Sequence, residues 1–383
     1  MRKKILPYLK CPENGQPGLK IYGAVVMRDG QLIYDVSEAE LEEEDDIISG
    51  LLISESSNTA YPIDQAIAIL LAHHDVDPFH HIPLLESLKE KCPATFKDLL
   101  QKTIQRINQP STSGDGNWNR DEMRYYDAEV ETPEKRNKML DNIRTIPVHR
   151  ILLPRQWHIT QIISQSVNNA VLLEIGCGNA STIYRIFNPG KHNYRYIGSD
   201  ISFKRLMVAK MAIPEGDFIQ ASALNLPFKN EIFTAIVSFG MLHHLPRPVD
   251  AVIQVIPLIK NKGYFAFHEP IERPTVKFPG LDSLKKLMMT YEHSEHDGKI
   301  NLDEVLKTLT VAGFKTIHKA TQVSSLRSIS ETILKRINRK IMLNKQVILF
   351  IENSDKLILN TIGKLSKTVG PKAILVVMQK ASG

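Results

Sequence analysis

The chain of 383 residues is poor in cysteine, with only Cys11, Cys92 and Cys177, and these stand far apart. No CxxC pair or zinc-like spacing occurs, which excludes a disulfide framework and makes a reducing, cytoplasmic setting the expected one. The basic start MRKKILPYLK lacks the apolar core of a signal peptide. No apolar run reaches the roughly 18 residues of a membrane helix. There is no internal repeat and no basic–aromatic RNA-binding motif.

Hydrophobic residues make up 43% of the chain and charged ones 23%, ordinary values for a globular protein of two or three domains. The net charge of +6 is unevenly spread: residues 1–80 hold 6 basic against 14 acidic residues. Such asymmetry points to an anionic partner, to charge pairing between parts of the chain, or to solvation alone. The acidic run Glu38–Asp46 reads as a solvated loop.

Residues 1–72 read as a small β-rich unit, with Ile21–Met27 and Gln31–Asp35 flanking an Asp29-Gly30 turn. Residues 73–159 read as a helical linker and lid region. It contains an amphipathic helix over Leu84–Ile107, a Pro/Ser/Gly-rich linker at Gln109–Asn119, and Tyr125 and Tyr126. His73, His74, His80 and His81 are scattered loop histidines rather than a metal set. From Val171 onward short apolar strands alternate with helical stretches, which predicts βαβ units and a mainly parallel sheet.

The strand Val171–Ile175 runs into Gly176-Cys177-Gly178-Asn179-Ala180-Ser181. A strand, a glycine-rich turn and a helix form a nucleotide crevice at the strand's carboxyl end. Asp200, 24 residues after Gly176 at the end of the next strand, can accept bonds from both hydroxyls of a ribose. The third glycine of a dinucleotide site is replaced by Ser181. The carboxylate Glu174 precedes the turn, which suits a ligand carrying an ammonium group instead of a pyrophosphate.

Glu174-Ile175-Gly176-Cys177-Gly178 resembles the first motif of class I S-adenosylmethionine-dependent methyltransferases. Gly198-Ser199-Asp200-Ile201-Ser202 is similar to their second and Ala221–Phe228 to their third. Phe233–Ser238 with Leu242-His243-His244-Leu245, and Lys262–Phe265 with His268-Glu269-Pro270, resemble the later strand ends. The resemblance implies a doubly wound, mostly parallel seven-stranded α/β sheet over residues 160–383, with a helical insertion at about 325–368. It implies S-adenosylmethionine as cofactor. Glu174 would face its methionine end, Gly176, Cys177 and Gly178 its backbone side, and Asp200 its ribose. Ile201 would pack on the adenine, Ser222 and Ala223 would meet the adenine edge, and Phe239 would lie near the methionine portion. Ser222 and Thr234 stand where the family usually has aspartates. Residues 1–72 resemble a degenerate zinc-ribbon domain, through Tyr8-Leu9-Lys10-Cys11-Pro12, Gly50–Ile53 and Ala60–Asp64. One cysteine cannot supply about four zinc ligands, so no metal is expected.

His243 and His244 are the catalytic candidates, either as a base or as packing residues. Tyr126, His268, Glu269 and His293 are the substrate-side candidates. Residues 327–351 read as a basic amphipathic helix, suited to a membrane surface, an anionic substrate or a lid. The expected acceptor is a small organic or lipid-like molecule. An RNA base is the weaker reading, because residues 1–80 are acidic. A non-catalytic binding partner of the same fold is a third. Oligomeric state is not legible.

Overall fold

The computed structural model describes residues 1–109, 114–145, 170–186, 194–270, 300–323 and 371–382. The chain divides into two compact units, one of residues 1–145, 169–234 and 257–260, the other of 146–168, 235–256 and 261–383.

The first unit contains strands β1 (Lys20–Arg28), β2 (Gln31–Val36), β3 (Asp46–Ser54), β4 (Thr59–Asp64), β5 (Ile67–Ile69), β6 (Val171–Ile175), β7 (Arg195–Asp200) and β8 (Asp217–Gln220). Their order is β6-β7-β8-β5-β4-β3-β1-β2. β6, β7, β8 and β5 pair in parallel, while β5, β4, β3, β1 and β2 pair antiparallel. The expected seven-stranded, mostly parallel sheet is therefore corrected to a mixed one. The reason is β5: Ile67-Ala68-Ile69 is buried on both faces and aligns with Phe218–Gln220 of β8. A short, wholly apolar strand suits the interior of a parallel sheet. It places the β-rich residues 1–72 in the same sheet as the glycine-turn strands.

The chain start is fastened to this sheet. The Arg2 guanidinium lies 2.8 Å from Asp217, whose side chain is fully buried at the start of β8. Lys10 N donates to Pro227 O, and Lys229 N to Tyr8 O. The acidic run is not simply solvated: Lys4 meets Glu44, Arg28 meets Glu42 and Asp45, and Lys210 meets Asp46.

Among the described residues, four helices lie between β5 and β6: α1 (Pro78–Lys91), α2 (Ala94–Ile107), α3 (Gly114–Glu129) and α4 (Pro133–Thr145). The single helix expected over Leu84–Ile107 is two, because Cys92 before Pro93 takes an extended conformation. α1 starts on an Asp77 cap with Pro78 in its first turn. α2 buries Leu99, Leu100, Ile104 and Ile107, which join Leu51, Ile53, Leu85 and Met123 in one apolar cluster. The expected linker Gln109–Asn119 is helical from Gly114 onward. Two further helices, α5 (Ser181–Ile186) and α6 (Phe203–Ala212), follow β6 and β7.

The second unit carries strands β9 (Phe233–Phe239), β10 (Ile259–Pro270), β11 (Phe314–Val323) and β12 (Pro371–Lys380), in the order β11-β12-β10-β9. β12 pairs antiparallel with both neighbours. Helix α7 (Pro248–Val255) follows β9, and α8 (Leu302–Val311), capped by Asn301, precedes β11. The expected helix at 327–351 and the helical insertion at about 325–368 fall outside the described residues. No described helix is long and apolar enough to cross a membrane.

Gly198 marks the tightest point of the parallel sheet. A Cβ there would stand 2.8 Å from the Phe218 ring and 2.9 Å from Cys177 Sγ. Gly198→Ala is expected to destabilise the protein by about 1–3 kcal/mol through overpacking. Urea unfolding of the pair of proteins checks this, and an unchanged midpoint would contradict it.

Candidate functional site

The turn after β6 rests on backbone angles that side chains resist. Gly176 and Gly178 have φ of 63° and 53°, and Ala180 has 54°. Glycine adopts this region without steric cost; Ala180, fully buried, is held there by its surroundings. The turn is tied to the neighbouring strand, since Cys177 N donates to Ser199 O at 3.0 Å.

Asp200, at the carboxyl end of β7, lies beside this turn. Its Oδ2 accepts from Gly178 N at 2.7 Å and its Oδ1 from Ser202 N at 2.8 Å. Burial pushes its carboxyl above the usual range, while the backbone donors and Arg205 pull it down. Ser202 caps α6, accepting from Arg205 N. Its hydroxyl donates to Asp127 Oδ1 at 2.5 Å, and Lys204 N donates to the same oxygen at 3.1 Å. α3 is thereby docked on the first turn of α6.

The Arg205 guanidinium is stacked 3.9 Å from the Tyr126 ring centroid and pairs with Glu129. A Cβ on Gly178 would come within 3.7 Å of Arg205 Nη1. Tyr126, a substrate-side candidate, thus supports the arginine that borders the glycine turn. No sequence signal singled out Arg205. Its position at the third residue after a capping serine puts it in the first turn of α6, which is the only clue the sequence holds.

Glu174 is buried within β6 and accepts from Tyr196 OH at 2.7 Å. Burial, with Asp200 nearby, pushes its carboxyl up to about 8. Cys177 is 6% exposed, and burial beside Asp200 and Glu174 raises its thiol well above the ordinary value. A protonated, enclosed thiol is a packing group and not a nucleophile. Ile201 packs on the apolar cluster that includes Met123. Ser222, with Ala223 beside it, follows β8 and donates to Asn119 Oδ1 at 3.4 Å.

In the second unit a different carboxylate organises the turn after β9. Glu269 is fully buried on β10. It accepts from Met241 N at 3.1 Å, Leu242 N at 3.0 Å and Ser238 Oγ at 3.3 Å. His243 Nδ1 lies 2.8 Å from Glu269 Oε2. Since a carboxylate accepts, Nδ1 carries the proton and Nε2 is left as the acceptor nitrogen. The His244 ring is 4.0 Å from that of His243. Glu269, expected on the substrate side, is taken up by the turn it holds. His268 is half-buried on β10, and its carbonyl accepts from Gly240 N at 2.9 Å. Phe239 is half-buried at the end of β9. His293 lies outside the described residues. Among the described residues no group of three or more His, Cys, Asp or Glu is placed to hold a metal ion.

Residues 173–267 match the model of a family described as "Methyltransferase domain". The chain is 30% identical over 113 residues to the tRNA (carboxymethyluridine(34)-5-O)-methyltransferase of Saccharomyces cerevisiae, covering 28% of this chain and 39% of that protein. It is 30% identical over 112 residues to the fatty-acid O-methyltransferase of Mycolicibacterium smegmatis, again covering 28% and 39%. The chain thus spans about two fifths of the length of these curated relatives. Among solved structures, Haemonchus contortus phosphoethanolamine N-methyltransferase 2 in complex with phosphomonomethylethanolamine and S-adenosylhomocysteine aligns over 60% of this chain and 53% of its own, at 13% identity and a TM-score of 0.40.

The protonated Glu174 carries a stability consequence. In the unfolded chain its carboxyl ionises near 4.5, whereas in the fold it holds its proton to about 8. The folded state binds the extra proton between those values, so its stability falls as pH rises through that window. Glu174→Gln keeps an acceptor for Tyr196 and removes the titration. Its thermal midpoint should match the parent's near pH 4.5 and exceed it by a few degrees at pH 8. Equal midpoints at both pH values would refute the raised carboxyl.

Proposed function

We propose that this chain is an S-adenosylmethionine-dependent methyltransferase acting on a small organic or lipid-like acceptor. The observation that carries the reading is Asp200 standing against the positive-φ turn Gly176–Gly178, at the ends of two adjacent parallel strands. The match of residues 173–267 supports it.

The residues fit the cofactor. A bare turn lets a ligand reach the main chain, and a carboxylate one strand over retains lone pairs for sugar hydroxyls. When bound, the cofactor supplies a methyl group on a sulfonium that is already activated for displacement. Asp200 and the turn hold the nucleoside, and Glu174 faces the amino-acid end. An ammonium group brought near Glu174 favours its ionised form and releases its proton. His243, oriented by Glu269, removes a proton from the acceptor where the acceptor has one to lose. Positioning supplies most of the remaining rate.

Residues 1–72 are read as a degenerate ribbon-like unit whose lone Cys11 is enclosed by hydroxyls. Cys11 Sγ lies 3.2 Å from both Ser57 Oγ and Tyr61 OH. An RNA acceptor is the second reading, favoured by the Saccharomyces cerevisiae relative.

Calorimetric titration with S-adenosylhomocysteine is expected to give one site, weakened about 10-fold or more by Asp200→Ala. His243→Ala should leave that affinity unchanged and lower methyl transfer by about 100-fold for a protonated acceptor. Absence of binding heat and of any thermal shift would sink the enzyme reading. Transfer of labelled methyl into a small-molecule extract supports the first acceptor class, and transfer into total RNA the second.

A further inference from the structure

A cavity of about 340 Å³ lies within the first unit, enclosed by residues of β5, β8, α1, α3 and α6, with Glu131 and Arg136 at its rim. That volume falls at the lower end of the range of small-molecule pockets. Gly176–Gly178, Asp200 and Ser222 do not line it, so it is not the crevice after β6. Its walls are apolar where Ile69, Leu84, Met123, Phe203 and Met207 meet it.

Most of its polar groups are already engaged. His81 Nε2 lies 3.1 Å from Gln220 Oε1 and His81 Nδ1 lies 2.9 Å from Asp77 O. Gln220 Nε2 donates to Ile201 O at 2.8 Å. The cations have partners too: Lys204 pairs with Glu131, and Arg136 Nη1 donates to Val130 O at 3.0 Å and to Glu131 O at 2.9 Å. What is left over is carboxylate. Asp127, 3% exposed, takes the bonds from Ser202 Oγ and Lys204 N on Oδ1, so Oδ2 keeps lone pairs for an occupant. Asp64 is half-buried at the end of β4. Burial raises its carboxyl, opposed only by a bond from the Gln65 backbone. Burial raises the Asp127 carboxyl as well, against Ser202, Lys204 and His80.

A carboxylate withdrawn from water without a cation partner is unfavourable. An ammonium group supplies that partner through charge-assisted hydrogen bonds. The apolar walls suit an organic body behind such a head rather than a bare metal ion. We propose that this cavity is a binding site for a small organic amine, whose ammonium group is taken by Asp64 and Asp127 and whose apolar body lies against Leu84, Phe203 and Met207. The site is built from α1, α3, α6 and the strands beside them, and it requires no cofactor.

The test is calorimetry of the full chain with phenethylamine and with phenethyl alcohol, which has the same body without the charge. The amine should bind at one site, at least about 10-fold more tightly than the alcohol, because hydrogen bonds to an ionised group are the stronger ones. Asp64→Asn should weaken the amine about 10-fold and leave the alcohol unchanged. Leu84→Trp, which fills the cavity and keeps both carboxylates, should abolish binding of both. If that variant fails to fold, Asp64→Asn, at a half-buried strand end, carries the test. Equal affinities for amine and alcohol, an amine unaffected by Asp64→Asn, or no binding of the amine overturns the proposal. Competition by S-adenosylhomocysteine would place the amine in the crevice after β6 and overturn it likewise. None of these outcomes removes the methyltransferase reading, which concerns other residues.

Discussion

A carboxylate with almost no access to water holds the first unit's crevice together. Burying an ionised group without partners is strongly unfavourable. Two backbone donors, one from the turn after β6 and one from the Ser202 cap of α6, offset part of this for Asp200, aided by the positive end of that helix. These bonds fix the turn to the neighbouring strand and leave the remaining lone pairs for a ligand. Asp127 repeats the device from α3, accepting from Ser202 Oγ and Lys204 N at the same helix start. The order of the glycine turn, the start of α6 and the seat of α3 are thus coupled through two acids. A change at any of the three is felt at the others.

The charge asymmetry has a largely internal explanation in the first unit. Most pairs of the acidic run are surface pairs worth little each. The Arg2–Asp217 contact is different, because Asp217 is fully enclosed and losing its partner would strand a buried charge. The acidic residues 38–46 are matched by Lys4, Arg28 and Lys210. They are in the main not idle and so are weak evidence for an external partner. The positive excess beyond residue 80 is where an anionic acceptor or surface would have to act.

The parts of the fold read correctly from sequence were those whose cause is local. Val171–Ile175, its glycine turn and Asp200 lie within 30 residues, and the backbone angles themselves demand the glycines. The parts that escaped are set by distant partners. β5 is three residues long and means nothing until β8 lies beside it. The composition of Gln109–Asn119 signals a loop, yet from Gly114 it is helix, with Asn119 locked between Asp75 and Ser222. Glu269 looked like a substrate contact because it ends a strand. Only the fold shows five donors from residues 238–243 converging on it.

Under the proposed function, that convergence bears on the choice of acceptor. With Nδ1 committed to Glu269, His243 holds one tautomer and presents Nε2 as a base. Methyl transfer from a sulfonium needs no base when the acceptor is already an anion, such as a carboxylate. It needs one when a hydroxyl must lose a proton during attack, or when an ammonium must lose one before its nitrogen can attack. A histidine fixed in this way is of use only in the second case. A rigid Glu269–His243 pair is therefore an argument for a hydroxyl or amine acceptor over a carboxylate. Under the proposed function the two acids have separate roles: Asp200 holds the glycine turn beside the nucleoside, and Glu269 fixes the tautomer of His243.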